Sequence, residues 1–323
     1  TKSVLKVSGT CKGPKVSLQT SLLNFGLVNL GEKILRTLEI TNSSDVPAPF
    51  QFDIDSSKSI FSFDRLSGTL SPGETRSVKI TFSPIHPIPH NRRVACLLHH
   101  QDPLFVDLIG TCHSDTEKPA IVLPKHLSLY RTNMTRGLTI YPPDILDAMI
   151  EENKLSTDSE GALVLHEQTE GTPEIHPFPD AVTEYFNDDF NREDSILLSH
   201  ITASTRNFDF GRCVGRTEET PPEPLPLSLT NHTTGKVTVM WTCKPHSPFR
   251  VTPEVTDIPP LKSTAFRVVF QPSQINTLYE AELEGFIFYK VLRNYRNVKD
   301  ATVCPPWCIT LRVRGHTFEL GQE

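Results

Sequence analysis

The sequence predicts an all-β fold of tandem two-layer sandwiches, and three observations carry that reading. A set of short signatures occurs twice, the apolar residues between them alternate with period two, and 27 prolines accompany only three methionines in 323 residues. The first set is Leu23-Asn24-Phe25-Gly26, Ile40-Thr41-Asn42, Leu70-Ser71-Pro72-Gly73, Ile80-Thr81-Phe82-Ser83-Pro84 and Ile109-Gly110-Thr111. The second is Phe208-Asp209-Phe210-Gly211, Leu229-Thr230-Asn231, Ile258-Pro259-Pro260, Val269-Phe270-Gln271-Pro272 and Val313-Arg314-Gly315. Asn42 stands 40 residues before Phe82, and Asn231 stands 39 before Phe270, so one framework serves both copies. Repeated strand-and-turn chemistry is the mark of stacked β modules. Proline suits turns, edges and bulges and is excluded from helix interiors.

Taken in order, residues 1–12 read as the last strand of a preceding sandwich, because Val4-Leu5-Lys6-Val7-Ser8-Gly9-Thr10-Cys11 parallels Val106-Asp107-Leu108-Ile109-Gly110-Thr111-Cys112. On that reading the chain is an internal piece of a longer array. Residues 13–113 form the first complete sandwich. In it Phe50, Phe52 and Ile54 face inward with Gln51, Asp53 and Asp55 outside, and Val78, Ile80 and Phe82 face inward with Lys79 and Thr81 outside. Ser71-Pro72-Gly73-Glu74 is a turn, since proline presets φ and glycine accepts a positive one. The stretch from Ser83 to Pro89 is a loop.

Residues 114–323 form the second sandwich. Its start is expected at Lys118-Pro119-Ala120-Ile121-Val122-Leu123, the counterpart of Gly13-Pro14-Lys15-Val16-Ser17-Leu18. Pro14 lies 11 residues before Phe25, whereas Pro119 lies 91 before Phe210, so an insert at about 131–200 interrupts it. Within the insert, Pro143 to Glu152 is expected to be helical, with Ile145, Leu146, Met149 and Ile150 on one face. The section from Glu167 to Asp194 is expected to be extended or poorly ordered. Alternation resumes at Leu225, Leu227 and Leu229, at Val237, Val239 and Trp241, and at Phe266, Val268 and Phe270. A smaller insert follows at about 289–306. Removing residues 131–200 should leave both sandwiches folded.

Charge separates the same parts. From Asp144 to Asp194 there are 15 acidic residues against Lys154 and Arg192, a local −13 within a chain of −6, so the remainder carries +7. An acidic insert on a mildly basic body offers a distinct surface to partners. The seven cysteines are odd in number and scattered, which fits a reducing compartment. Three Asn-x-Ser/Thr tripeptides, at Asn42, Asn133 and Asn231, point the other way. Two of them recur at one framework position, where asparagine suits a turn. No apolar run reaches the roughly 20 residues of a membrane-spanning helix.

Catalytic patterns are missing: there is no phosphate-binding glycine loop, no H-E-x-x-H and no nucleophile elbow, so no catalytic, cofactor-binding or metal residues are expected. Cys304-Pro305-Pro306-Trp307-Cys308 lacks a second cysteine pair and reads as a turn with two thiols. His99-His100 reads as a solvated turn. Asp53-x-Asp55 lacks the ligand density of a calcium loop and reads as the wet side of a strand. Thr220 to Pro226 contains a P-x-x-P, read as an edge segment entering the Leu225 strand, and Trp241 reads as core.

The residues also carry a family resemblance. Phe25-Gly26, Thr41-Asn42-Ser43-Ser44, Pro72-Gly73-Glu74, Phe82-Ser83-Pro84 and Gly110 resemble the framework of ASH domains, immunoglobulin-like sandwiches related to major sperm protein. The likeness covers residues 14–112, and about 118–135 with 200–318 more loosely, where Pro260-Leu261 replaces Pro72-Gly73. The stretches Cys96 to Phe105 and Gly137 to Met149 are similar to a multi-repeat ciliary member of that family. That resemblance implies a non-enzymatic structural protein of the motile-cilium axoneme, near the central apparatus, needed for cilia and sperm flagella. Implied partners are other axonemal proteins bound through sandwich edges and the insert, with microtubules a further candidate. It implies no nucleic acid and no small-molecule substrate. A peptide-binding adaptor at membrane contacts and an extracellular adhesion array are the alternatives. For the adaptor, Gln51, Asp53 and Asp55 stand where related domains carry lysines for acidic peptides.

Overall fold

The computed structural model describes residues 4–9, 12–166, 178–186, 200–214 and 221–319. The first sandwich comprises β1 (Val16–Leu18), β2 (Leu22–Asn29), β3 (Ile34–Asn42), β4 (Ala48–Phe52), β5 (Phe61–Phe63), β6 (Ser67–Leu70), β7 (Thr75–Phe82), β8 (Pro89–Leu98) and β9 (Gln101–His113). One sheet has the order β1-β3-β7-β5 and the other β2-β9-β8-β4-β6. The chain crosses between sheets at Gln19–Ser21, so β1 pairs antiparallel with β3 while β2 runs parallel to β9.

The second sandwich repeats this plan. It is built from β12 (Ile201–Ala203), β13 (Asn207–Val214), β14 (Leu225–Asn231), β15 (Val237–Trp241), β16 (Phe249–Thr252), β17 (Val255–Ile258), β18 (Ser263–Phe270), β19 (Leu278–Tyr289) and β20 (Trp307–Phe318). Its sheets are β12-β14-β18-β16 and β13-β20-β19-β15-β17. Phe25 and Phe210 occupy equivalent positions. Phe25 sits 5.6 Å from Phe61 and 5.5 Å from Phe82, with Phe61 and Phe82 stacked at 4.9 Å. Phe210 sits 6.0 Å from Phe249 and 5.2 Å from Phe270, which stack at 4.6 Å. Each triad bridges the two sheets of its sandwich and excludes water between them.

The alternation read from sequence matches burial closely. Phe50, Phe52, Ile54, Val78, Ile80, Phe82, Leu227, Leu229, Phe266, Val268 and Phe270 are all core. β15 departs from it, because Thr238 and Met240 are buried as well as Val237, Val239 and Trp241, the strand being covered on both faces. Gly26 and Gly211 take φ of 74° and 65°, each at a bulge, with Asn24 and Asp209 Oδ1 accepting their amides at 2.8 Å. The Ser71-to-Glu74 turn forms with Gly73 at φ 71°. Leu261, standing in the place of Gly73, adopts φ 55° all the same, a left-handed conformation that costs a residue bearing Cβ.

Three expectations are corrected. Residues 118–123 do not open the second sandwich: the strand that pairs as β1 does is β12, since Val16 faces Asn42 and Ile201 faces Asn231. The intervening chain therefore lies between the two sandwiches rather than within one. Its first element is α1 (Pro124–Thr135), a helix that directly follows the stretch read as the opening strand. Pro124 opens it at the first turn, and the amide of Leu123 donates to His126 Nδ1 at 3.0 Å. Residues 4–9 form no strand and leave Val4, Leu5 and Val7 exposed.

The remaining insert contains α2 (Pro143–Glu151), the hairpin β10 (Leu155–Thr157) and β11 (Leu163–Leu165), and α3 (Ala181–Phe186). α2 lies where the sequence put a helix. It buries Leu146 and half-buries Met149 and Ile150, but Ile145 is exposed. Most of Glu167–Asp194 lies outside the described residues, and α3 within it is helical. Between β19 and β20, residues 290–302 make three short 3-10 turns.

Candidate functional site: the junction between the sandwiches

The feature with most chemistry is the contact between the sandwiches, centred on Arg92 of β8 and Glu284 of β19. Both are buried, at 5% and 2% exposure, which is rare for charged residues unless they are paired. Arg92 donates through Nη1 to Glu284 and through Nη2 to Glu282. Glu284 also accepts from Ser59 Oγ at 2.7 Å, the amide of Ile60 at 3.1 Å and Thr242 Oγ1 at 3.4 Å. Burial, the largest single influence, would lower the basicity of Arg92, but Glu284 with Cys308 and Glu282 together outweigh it and the guanidinium is held above its ordinary value. The Arg92 guanidinium is thus paired with two carboxylates across the boundary, and Glu284 is further satisfied by neutral donors, the condition under which buried ions are tolerated.

Further bonds extend this seam. Asp55 accepts the amide of Glu282 at 3.1 Å, Lys244 Nζ donates to the carbonyl of Ser57 at 2.7 Å, and Asn91 Nδ2 donates to that of Pro306 at 3.2 Å. His90 lies edge-on between Phe82 of the first core and Phe286 of the second, at 5.2 and 4.9 Å. It is fully buried, and neither ring nitrogen has a hydrogen-bond partner of good geometry. Desolvation brings its pKa down to about 3, the Gly110 backbone opposing only in part, so the ring is neutral.

The insert is fastened to both sandwiches. Arg131 and Arg93 both donate to Asp107, and Arg93 grips Glu184 of α3 while lying 4.4 Å from the Phe105 ring. Tyr185 Oη donates to Asp53 at 2.9 Å. Tyr289 Oη donates to the carbonyl of Thr139 at 2.8 Å, Trp307 Nε1 to Tyr130 Oη at 2.8 Å, and His200 stacks on Trp307. These are wall-to-wall contacts rather than a tether.

The residues singled out from sequence fall into place around this frame. Asp53 and Asp55 are not a wet strand face: one meets α3 and the other the second sandwich. Nothing local in the alternation reveals that Asp55, just past β4, meets a module some 230 residues away. His99-His100 is the exposed hairpin tip joining β8 to β9, with His100 at φ 61°. The Cys304 and Cys308 thiols are free and pushed up by burial. Pro224 and Pro226 lie at the entry to β14, and Trp241 is fully buried.

The asparagines of all three tripeptides are internal. Asn42 and Asn231 are wholly buried, and each Nδ2 donates to three carbonyls: Val46, Leu70 and Ser71 in one copy, Gly235, Ile258 and Pro259 in the other. Each Oδ1 accepts the amide and hydroxyl of the residue two positions on, Ser44 or Thr233. The hydroxyl that made a sequon is half of a turn lock. Asn133 Oδ1 accepts the amide of Leu163.

Comparison with known proteins follows the same frame. Residues 22–116 match the family model described as CFAP65, fourth Ig-like domain. The chain is 50% identical over 325 residues to human cilia- and flagella-associated protein 65, covering 100% of this chain and 17% of that protein. It is 29% identical over 328 residues to the Chlamydomonas reinhardtii protein of the same name, covering 97% and 14%. A solved ASH/PapD-like domain of human CEP192 is similar at 19% identity and a TM-score of 0.28, over 35% of this chain and 97% of that one. The chain therefore spans less than a fifth of the curated relatives it matches.

Proposed function

We propose, from the premise that this chain is a cilia- and flagella-associated protein related to CFAP65, that it is a non-enzymatic scaffold segment of the motile-cilium axoneme, within the central apparatus. It holds two sandwiches at one fixed angle and presents their free edges and the insert to neighbouring axonemal proteins. The observation that carries this reading is the Arg92–Glu284 junction. A linker needs no buried ion pair, whereas a bracket that must transmit position does, because a network of matched charges has one satisfied geometry and penalises every other.

The test is a tagged full-length protein expressed in cells that build motile cilia and lack their own copy. Axonemal labelling that survives detergent extraction, with restored beating, is the expected result. A tag that stays in the cell body, or leaves with the membrane, would refute the proposal.

A further inference from the structure

We propose that the open edge of β3 in the first sandwich is a strand-accepting site, and that its occupant is an extended segment of another protein carrying apolar side chains and a carboxylate. An unpaired edge offers backbone donors and acceptors to any passing strand, and folded proteins normally blunt such edges. The described edges of this chain are blunted one by one. β1, β5 and β12 have three residues each, and β6, β16 and β17 have four. β2 and β13 are broken by bulges between Asn24 and Leu27 and between Asp209 and Arg212.

β3 and β14 become edges where β1 and β12 stop short, as β7 and β18 do beyond β5 and β16. β1 covers β3 only from Ile40 to Asn42, and β12 covers β14 only from Leu229 to Asn231. On the uncovered side, the carbonyl of Glu39 takes the amide of Gln19, and that of Ser228 takes the amide of Ser204. By the alternation of a ladder, the next groups facing outward are those of Thr37 and Leu35 in β3, and of residues 226 and 224 before and in β14. The second sandwich has proline at both of those positions, removing both donors. The first has Leu35 and Thr37, both exposed.

The surroundings differ in the same sense. Leu27, Leu30 and Leu35 are 48%, 47% and 50% exposed, on β2, the β2–β3 turn and β3. Leu27 is replaced by Arg212 in the second copy, at the same place beside the bulge. Exposed leucines beside an open edge are a liability in a free-standing module and an asset where a strand docks. Arg36 sets the charge of the occupant. Its Nε donates to the carbonyl of Asn24 at 3.3 Å and its Nη1 to that of Leu35 at 3.2 Å, so it lies across the gap. Pairing with a second copy about a twofold axis centred here would set Arg36 against Arg36. A carboxylate on the incoming strand draws the guanidinium off the Leu35 carbonyl and opens that acceptor.

This deepens the scaffold reading and rests on it, naming which edge is offered. The probe is a synthetic nine-residue peptide alternating threonine and valine with glutamate at its centre, titrated into the whole chain. Amide exchange at Leu35 and Thr37 is followed by NMR. Expected is a slowing of about tenfold or more at these two amides. A lysine-centred peptide should protect less, and a peptide N-methylated at alternate amides not at all. Thr37→Pro should abolish the effect with the thermal midpoint unchanged, as Pro226 shows the fold to tolerate. Pro224→Thr with Pro226→Thr should create the effect on β14. No protection at saturating peptide, or equal protection by the N-methylated one, would overturn the site while leaving the localisation test of the scaffold untouched.

Discussion

Replacing Glu284 by leucine separates a structural junction from a decorative one. The substitution leaves the Arg92 guanidinium buried, with Glu282 its sole remaining carboxylate, and removes the acceptors of Ser59 Oγ, Ile60 N–H and Thr242 Oγ1. Breaking a buried pair from one side costs about 3–5 kcal/mol, most of it the penalty of the stranded charge. The paired change Arg92→Met with Glu284→Leu removes that charge too. Since well-packed apolar replacements of buried ion pairs are often neutral, the double variant should return to within about 1 kcal/mol of the parent. Urea unfolding followed by the fluorescence of Trp241 and Trp307 reports the second sandwich, and the first can be followed by amide exchange. A single variant within 1 kcal/mol of the parent, or a double variant no better than the worse single one, would refute the reasoning.

Four other outcomes are expected. Asn42→Ala and Asn231→Ala should each destabilise by about 2–3 kcal/mol in urea, because three carbonyls lose a buried donor at once. Routed through a secretory pathway, the folded chain should carry no glycan at Asn42 or Asn231 by mass spectrometry. Stability should fall as pH drops below about 6.5, since His90 must enter the fold neutral: its folded pKa lies near 3, below the unfolded value, so the stabilisation is complete above 6.5 and lost on the way down. At pH 4.5 that loss is about 2–3 kcal/mol by linkage, and His90→Phe should flatten this part of the profile in urea titrations. Deleting residues 131–200 should lower the unfolding midpoint of the second sandwich and move Trp307 emission to the red. The sequence alone suggested the opposite, but Trp307, Tyr289 and Gly235 lean directly on His200, Thr139 and Pro142.

Local periodicity was enough for the strands that bury one face. Phe50, Phe52 and Ile54, or Val78, Ile80 and Phe82, lie two residues apart, and the pleat alone sends them to one side. Turn chemistry was equally local: the Pro72-Gly73 pair carries its φ preference within itself. The first strand of the second sandwich was misplaced at 118–123 because a Lys-Pro-apolar run looks the same before a helix as before a strand. Pro124 and His126 mark the helix start, and that weak signal is legible only in hindsight of a cap.

The repeat, its turns and its inward-facing rows were thus written in the chain, since each depends on residues within a few positions of one another. The junction was not. Arg92 and Glu284 lie 192 residues apart, and neither sits in a pattern that distinguishes it from a solvated charge. Whether a carboxylate on a strand's outer face meets water or a buried guanidinium is settled by which module closes over it. That closure depends on the sum of long-range contacts, with the loop entropy they must overcome, and no short window of sequence contains it. The same holds for the edges: proline at 224 and 226 can be read from the chain, but that Leu35 and Thr37 face an edge uncovered among the described residues follows only from where β1 ends.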